Sequence, residues 1–149
     1  MRAVVQRTLY SSVTIDDVVT AEIGRGLTVL LGIKKGDEKK DAGYLMDKII
    51  NLRIFADEAG KMNRSLLDVN GEVLLVSQFT LYGDVKHGRR PGFSDAEIPE
   101  AAEPLFQYCA EIIRNCGLNV ATGVFGADMK ITIENDGPCT ILIDSEKLF

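Results

Sequence analysis

Histidine, tryptophan and cysteine are scarce in this sequence, which has one His, no Trp and three Cys among 149 residues. The single histidine, His87, lies in a glycine-rich segment, so no Ser-His-Asp triad can be assembled from the sequence. The cysteines are odd in number and form no C-x-x-C pair, which argues against both a disulfide framework and a zinc site. We therefore expect reduced thiols in a cytoplasmic protein, with no cofactor and no metal.

Long apolar runs and nucleotide-binding motifs are also missing. The longest apolar stretch, residues 27–33, is far shorter than the roughly 20 residues that a membrane span needs. Gln6 and Arg7 interrupt the first apolar residues, so we expect no signal peptide and no membrane partner. No Gly-x-Gly-x-x-Gly segment and no Walker loop is found.

Positive charge is in deficit, since the formal net charge is −5. Taken alone, this charge argues against a nucleic-acid partner, because phosphate binding depends on Lys and Arg. One short segment has the opposite balance, with Lys86, Arg89 and Arg90 close to His87 and only Asp84 nearby. A small basic patch is therefore compatible with an acidic chain.

The length and the 46% hydrophobic content predict one domain, residues 1–149, with a real core. Helices are predicted over 37–53 and 99–116, and the second contains Pro104, so either its first turn is distorted or the regular helix starts later. The strands outnumber the helices and are not strictly alternating with them, which favours a layered α/β domain with a mixed sheet rather than a doubly wound parallel one. Strands are predicted over 1–8, 13–15, 18–23, 27–33, 72–78, 118–124, 129–134 and 140–143.

Both predicted helices carry an apolar stripe at helical spacing, which predicts that each packs on the core with one face. The stripe of the first consists of Ala42, Leu45, Met46, Ile49 and Ile50. The stripe of the second consists of Ala102, Leu105, Cys109, Ile112, Ile113 and Cys116.

Two segments hold candidate functional residues. The first is Ser-Gln-Phe-Thr-Leu, residues 77–81, which lies where a buried strand enters the long irregular loop 79–95. The hydroxyl and amide groups of this segment either face a cleft or form hydrogen bonds with the local backbone. The second is Asn-Asp-Gly-Pro-Cys-Thr, residues 135–140, whose composition is that of an ordinary turn. Cys139 is more simply a packing residue than a nucleophile.

Taken together, these two segments resemble the signature of the D-aminoacyl-tRNA deacylases of the bacterial and eukaryotic type. The likeness extends over the chain, through Met-Arg-Ala-Val-Val-Gln-Arg at the start, Gly-Arg-Arg-Pro-Gly-Phe-Ser at 88–94 and Gly-Val-Phe-Gly-Ala-Asp-Met at 123–129. Five segments in the same order make chance a poor explanation.

The resemblance implies a homodimer with a layered β/β/α fold, mixed sheets and two main helices, and an active site at the subunit interface. It implies that the Gly137-Pro138 bond is cis and reaches into the partner's site, where backbone carbonyls crowd out the side chain of an L-amino acid. Glycyl-tRNA, which has no side chain to clash, should then be cleaved as well. The resemblance further implies catalytic roles for Ser77, Gln78, Phe79 and Thr80 and contacts to the substrate or its adenosine from Phe125, Met129 and Asn135.

Two mechanisms for hydrolysing the aminoacyl ester remain open at this point. Thr80 could attack as a nucleophile, although no base is evident beside it. The ribose 2′-hydroxyl could instead help to activate a water while the protein supplies backbone donors, and we favour this route. Lys86, Arg89 and Arg90, supplemented by Lys34, Lys35 and Arg7, are the candidate contacts to the tRNA backbone, and we expect no DNA partner.

Two rival functions also remain. One is an inactive RNA-binding or interaction module with the same fold. The other is a relative of relaxed chirality that acts on L-aminoacyl-tRNA, for which the bond at Pro138 would be trans.

Overall fold

Eight strands and three α-helices make up the chain, and the computed structural model describes all of residues 1–149. The strands are β1 (Arg2–Ile15), β2 (Val18–Ile23), β3 (Gly26–Gly32), β4 (Phe55–Ala56), β5 (Met62–Arg64), β6 (Glu72–Ser77), β7 (Val120–Thr122) and β8 (Lys130–Asp144). The helices are α1 (Lys39–Ile50), α2 (Leu66–Val69) and α3 (Pro99–Asn115). A 3₁₀ turn, Phe79–Tyr82, follows β6 directly.

Strand β1 organises a six-stranded mixed sheet. Its first half pairs with β3, its second half pairs with β2, and β8 pairs antiparallel with it over almost its whole length. Beyond β3 the sheet continues in parallel through β6 and β7. The predicted mixed sheet is therefore confirmed, and a short β4–β5 ribbon lies outside it.

The sheet has a large core on one face and a small one on the other. Helices α1 and α3 pack on the first face, where 24 buried residues form one apolar cluster. On the other face the sheet curls into a nearly closed barrel, whose interior is filled by Val13, Ile23, Leu74 and Val76. Long strands with a right-handed twist curl in this way.

Two predicted pairs of strands are single strands in the structure. The prediction ended one strand at residue 8 and began another at 13, whereas β1 runs without a break. It also separated 129–134 from 140–143, whereas β8 is continuous. The register shifts between Gln6 and Thr8 and again between Thr8 and Tyr10, and the first shift makes residues 136–139 a bulge opposite Arg7 rather than a turn between strands.

The buried stripe of α1 consists of the five residues predicted. Helix α3 differs, because Phe106 and Ala110 are buried where Leu105 and Ile112 were expected, and Cys116 is exposed. The helix is continuous through Pro104, so a later helix start is wrong. Pro104 lies on the exposed face, where water can satisfy the carbonyl that loses its donor.

None of the helices is long and apolar enough to cross a membrane. The structure brings together no group of three or more His, Cys, Asp or Glu side chains that could hold a metal ion. All three cysteines are free, and burial raises the pKa of the Cys109 thiol to about 12.

Candidate active site

A mainly apolar cavity of about 670 Å³ opens at the end of β6 where the chain enters the long loop. Ser77, Gln78 and Phe79 form one side of it. Phe125 and Met129, which precede β8, also line it, as do Phe93 and Ile98 from the loop before α3. Three segments that are distant in sequence therefore meet in one cleft.

The close approach of two backbones fixes the position of the turn that follows β6. Gln78 N–H donates to the carbonyl of Leu31 at 2.8 Å, which extends the parallel ladder by one residue. The turn then lies directly over Gly32, where an added Cβ would be 3.1 Å from both the Gln78 carbonyl oxygen and the Leu81 Cβ. Glycine at position 32 thus allows the turn to rest on β3.

Thr80 lies at the edge of this site and is not among the cavity-lining residues. Its hydroxyl accepts a hydrogen bond from the Gln78 side-chain amide. An amide NH₂ group donates and cannot take up a proton, so the neighbour of Thr80 is not a general base. The backbone N–H groups of Phe79 and Thr80 have no acceptor within the protein.

Aromatic rings form the rim and the floor of the cavity. Phe79 is 56% exposed and meets Phe93 edge-on, with ring centroids 5.0 Å apart. The Phe125 ring packs against the ring of the buried Phe106, with ring centroids 5.8 Å apart. An exposed ring beside a cavity offers a stacking surface for a planar group such as a nucleobase.

Met129 is positioned by the absence of a side chain on Gly123. An added Cβ at Gly123 would be 2.7 Å from Met129 Sδ and 3.6 Å from Val76 Cγ1. Gly123 N–H donates to the carbonyl of Leu75 at 2.9 Å and so continues the β6–β7 ladder. The methionine side chain therefore lies flat over the sheet backbone as part of the cavity wall.

The sequence reasoning missed several cavity residues, among them Phe93, Glu97 and Ile98. The Glu97 carboxylate accepts hydrogen bonds from the backbone N–H groups of Ile98, at 2.9 Å, and Gly36, at 3.3 Å. It therefore ties the loop before α3 to the segment after β3. Phe93 lies in the Gly-Arg-Arg-Pro-Gly-Phe-Ser segment that contributes to the resemblance, whereas nothing in the sequence pattern indicated Glu97 and Ile98.

The bulge in β8 contains the other predicted segment. The Gly137–Pro138 peptide bond is cis, and both residues are exposed and do not line the cavity of their own chain. The Asn135 side chain closes the base of the bulge by accepting from Cys139 N–H at 2.7 Å and donating to Thr140 Oγ1 at 3.0 Å. Asn135 is also outside the cavity lining, so its predicted contact with the substrate stays a prediction.

Arg7 holds this bulge from the neighbouring strand. Its Nε and Nη2 atoms donate to the Asp136 carbonyl oxygen at 3.1 and 2.9 Å, and Nη1 donates to the carbonyl of Ile54. Nε also lies 3.1 Å from the Asp136 carboxylate. The guanidinium is thus engaged within the protein, and the contact of Arg7 with the tRNA backbone stays a prediction.

The predicted basic patch lies on an exposed loop. Backbone hydrogen bonds between Asp84 and Gly92, at 2.8 and 2.9 Å, close this loop at its base. Lys86, Arg89 and Arg90 are exposed and form no ion pair, and none of them lines the cavity. Two other candidates differ, because Lys34 is paired with Glu146 at 2.8 Å whereas Lys35 lines the cavity.

Comparison with known proteins identifies the family. The sequence profile described as D-Tyr-tRNA(Tyr) deacylase matches residues 4–144. The chain belongs to this deacylase family. A protein of Syntrophomonas wolfei and one of Clostridium botulinum (strain Alaska E43), both named D-aminoacyl-tRNA deacylase, are 64% and 55% identical to the chain, and each match covers the whole of both proteins.

Two solved structures share the fold of this chain. One, described as a c-Myc DNA unwinding element binding protein, is 42% identical, has a TM-score of 0.91 and covers 97% of this chain and 98% of its own. Another, described as a probable eukaryotic D-amino acid tRNA deacylase, has a TM-score of 0.82 at 18% identity over 95% and 97% of the two chains, and so shows the fold alone. The family predicted from the sequence is confirmed, and as a deacylase the chain is an ester hydrolase.

Proposed function

We propose that the chain hydrolyses the ester bond of D-aminoacyl-tRNA in the cavity beside Gln78, releasing a free D-amino acid and tRNA. The observation that carries the proposal is the meeting of Ser77, Gln78 and Phe79 with Phe125 and Met129 in one cavity of about 670 Å³. Such a volume suits an aminoacylated adenosine, and the exposed Phe79 ring offers a stacking face. We propose that residues 1–149 act as one domain and work in the cytoplasm.

The side chain beside Thr80 favours water as the nucleophile. Gln78 donates to the Thr80 hydroxyl and cannot deprotonate it. The free backbone N–H groups of Phe79 and Thr80 are donors of the kind that stabilise the oxyanion of a tetrahedral intermediate. The adjacent ribose 2′-hydroxyl would help to activate the water, so that Thr80 orders Gln78 rather than attacking the ester.

Chirality would be sensed by the bulge of a second subunit. Gly137 and Pro138 are exposed and do not line the cavity of their own chain, so they can serve a site only across a homodimer interface. Arg7 fixes the carbonyl that precedes them, which makes a rigid wall of backbone oxygens against the side chain of an L-amino acid. The dimer, with the layered β/β/α arrangement that the resemblance implies, belongs to this proposal.

The tRNA would be contacted mainly at its acceptor end. Lys86, Arg89 and Arg90 are exposed and free of ion pairs, so they can reach phosphates beside the cavity. Three contacts to a single strand predict that log KM rises with log salt at a slope of about 2. Replacing the three residues by Gln should flatten this slope without changing kcat, and a slope much steeper than this would show a larger footprint.

A deacylation assay tests the activity itself. We expect hydrolysis of D-tyrosyl-tRNA and of glycyl-tRNA, with L-tyrosyl-tRNA left intact. Thr80→Ala should lose only part of the activity, whereas complete loss in a folded variant would favour the nucleophile mechanism. An inactive RNA-binding module would hydrolyse none of the three substrates, and a relative of relaxed chirality would hydrolyse the L-ester.

A mixing experiment tests whether the site is shared between subunits. Gln78→Ala would damage the cavity and lose activity on both esters, whereas Pro138→Ala would damage the bulge and hydrolyse the L-ester as well as the D-ester. In a heterodimer one site combines both defects and the other has neither, so in an equal mixture about half of the intact cavities should face an intact bulge, and the L-ester rate should fall to about half. An unchanged L-ester rate in a mixture that has demonstrably exchanged subunits would show that both segments serve the same subunit.

A further inference from the structure

Arg2, the first residue of β1, joins the turn that carries the proposed catalytic residues to the end of β8. Its Nε atom donates to Asp144 Oδ2 at 2.8 Å, and its Nη1 atom donates to the carbonyl of Leu81 at 3.2 Å. Its guanidinium also lies 4.7 Å from the centre of the Tyr82 ring. Leu81 and Tyr82 both belong to the 3₁₀ turn Phe79–Tyr82.

Asp144 fixes the position of the guanidinium. The Asp144 side chain is fully buried, and its second oxygen accepts from Glu146 N–H at 2.7 Å. Its hydrogen bond to Arg2 raises the pKa of the guanidinium above its ordinary value. Both oxygens of this buried carboxylate accept hydrogen bonds, so the carboxylate cannot shift together with the guanidinium. The Arg2 guanidinium therefore has one stable orientation.

The turn is therefore held from two adjacent strands. Gly32 of β3 pairs with Arg2 of β1 and gives the turn a flat surface to rest on. Arg2 then binds the far end of the turn, at Leu81, while Gln78 N–H binds the near end to β3. Without Arg2, the turn would keep the hydrogen bond from Gln78 N–H to β3 and lose the one at the Leu81 carbonyl.

We propose that Arg2 is a positioning residue that sets the orientation of the Gln78–Thr80 segment for ester hydrolysis. This inference rests on the proposed function of residues 77–80. Arg2 does not line the cavity and touches no substrate; it acts by fixing the backbone N–H groups of Phe79 and Thr80 through the turn. Displacements of a fraction of an ångström in such donors are enough to slow a reaction substantially.

Arg2→Lys is the informative variant. A lysine keeps a positive charge beside the buried Asp144, so the protein should fold, but a single ammonium cannot reproduce the two-sided contact to Asp144 and Leu81. We expect kcat for D-tyrosyl-tRNA to fall about tenfold with little change in KM. Hydrogen exchange at the Leu81 and Gly83 amides, which bond to Gln78 and Thr80, should speed up, while the β1–β3 amides should be unchanged.

Arg53→Met supplies the matched control. Arg53 also donates to a backbone carbonyl and to a side-chain oxygen, both of Asn63, at 2.8 and 3.0 Å, but on the β4–β5 ribbon away from the cavity. The Arg53→Met protein should lose about as much stability as the Arg2→Lys protein and keep the wild-type kcat. Equal losses of kcat in the two variants would overturn the proposal, as would wild-type kcat and wild-type exchange in Arg2→Lys.

The exchange measurement separates this inference from the proposed function. If Gln78→Ala and Thr80→Ala left deacylation unchanged, the proposed role of residues 77–80 would fail. Faster exchange at Leu81 and Gly83 in Arg2→Lys would still show that Arg2 orders the turn. Unchanged exchange together with inactive Gln78 variants would reject the positioning role and leave the proposed function in place.

Discussion

Removing the arginine that holds the β8 bulge should reduce chiral discrimination. Arg7 donates twice to the Asp136 carbonyl and once to that of Ile54, and its side chain is only 13% exposed. The Asp136 carboxylate is 40% exposed, so its ion pair contributes little. Hydrogen bonds to a charged group contribute about 1.5–3 kcal/mol each, but the freed carbonyls can bind water, which leaves a net loss of about 2 kcal/mol for the held conformation.

A loss of this size corresponds to a roughly 30-fold change in the ratio of the held to the released bulge. In Arg7→Met, the ratio of D-tyrosyl-tRNA to L-tyrosyl-tRNA hydrolysis should therefore fall by roughly 10- to 30-fold. The assay is the deacylation rate of each ester, with the melting temperature recorded in parallel and Arg53→Met as the control. An unchanged ratio in a folded Arg7→Met protein would refute the reasoning, because the bulge would then keep its shape without the arginine.

Three other substitutions or probes test local features of the structure. The Tyr82 hydroxyl is buried without a partner, so Tyr82→Phe should be neutral or raise the free energy of unfolding by about 1 kcal/mol, as denaturant titration would show. Gly123→Ala would push Met129 into the cavity, so KM should rise severalfold at a stability cost of about 1 kcal/mol, and an unchanged KM would contradict the placement. A thiol reagent should modify Cys116 rapidly in the native protein and the buried Cys109 and Cys139 only after denaturation; two fast thiols would contradict this burial.

Helical periodicity predicted α1 better than α3 for a physical reason. In α1 the apolar residues form a single row, so one face alone can be buried, and all five predicted residues are. In α3 two apolar rows lie side by side, one through Leu105 and Ile112 and the other through Phe106 and Ala110. The sequence does not say which row faces the sheet, because that depends on how the helix crosses α1 and β7.

The long strands were predicted as fragments because their polar residues looked like interruptions. Thr8 and Ser11 are fully buried, and their hydroxyls donate to the carbonyls of Glu134 and Thr132 across the β1–β8 pair. Such hydrogen bonds join residues more than 120 positions apart. A local pattern of apolar and polar residues contains no information about them, so the break predicted between residues 8 and 13 was wrong.

The site was predicted through resemblance more than through chemistry. Ser77, Gln78 and Phe79 do meet Phe125 and Met129, although some 45 residues separate the two segments. The charged residues were harder to place. Arg7 was predicted to contact the tRNA because the sequence shows its charge but not its hydrogen-bond acceptor. In the structure Arg7 donates to the Asp136 carbonyl.

The acidic charge of the chain is compatible with a tRNA substrate because different parts of the substrate need different surfaces. An adenosine and an amino-acid side chain carry no phosphate, and the cavity proposed for them is mainly apolar. Phosphates would lie outside it, where Lys86, Arg89 and Arg90 are exposed on one loop. Charges beyond a Debye length of about 10 Å are screened, so a net charge of −5 spread over the remaining surface has little effect on binding at this end.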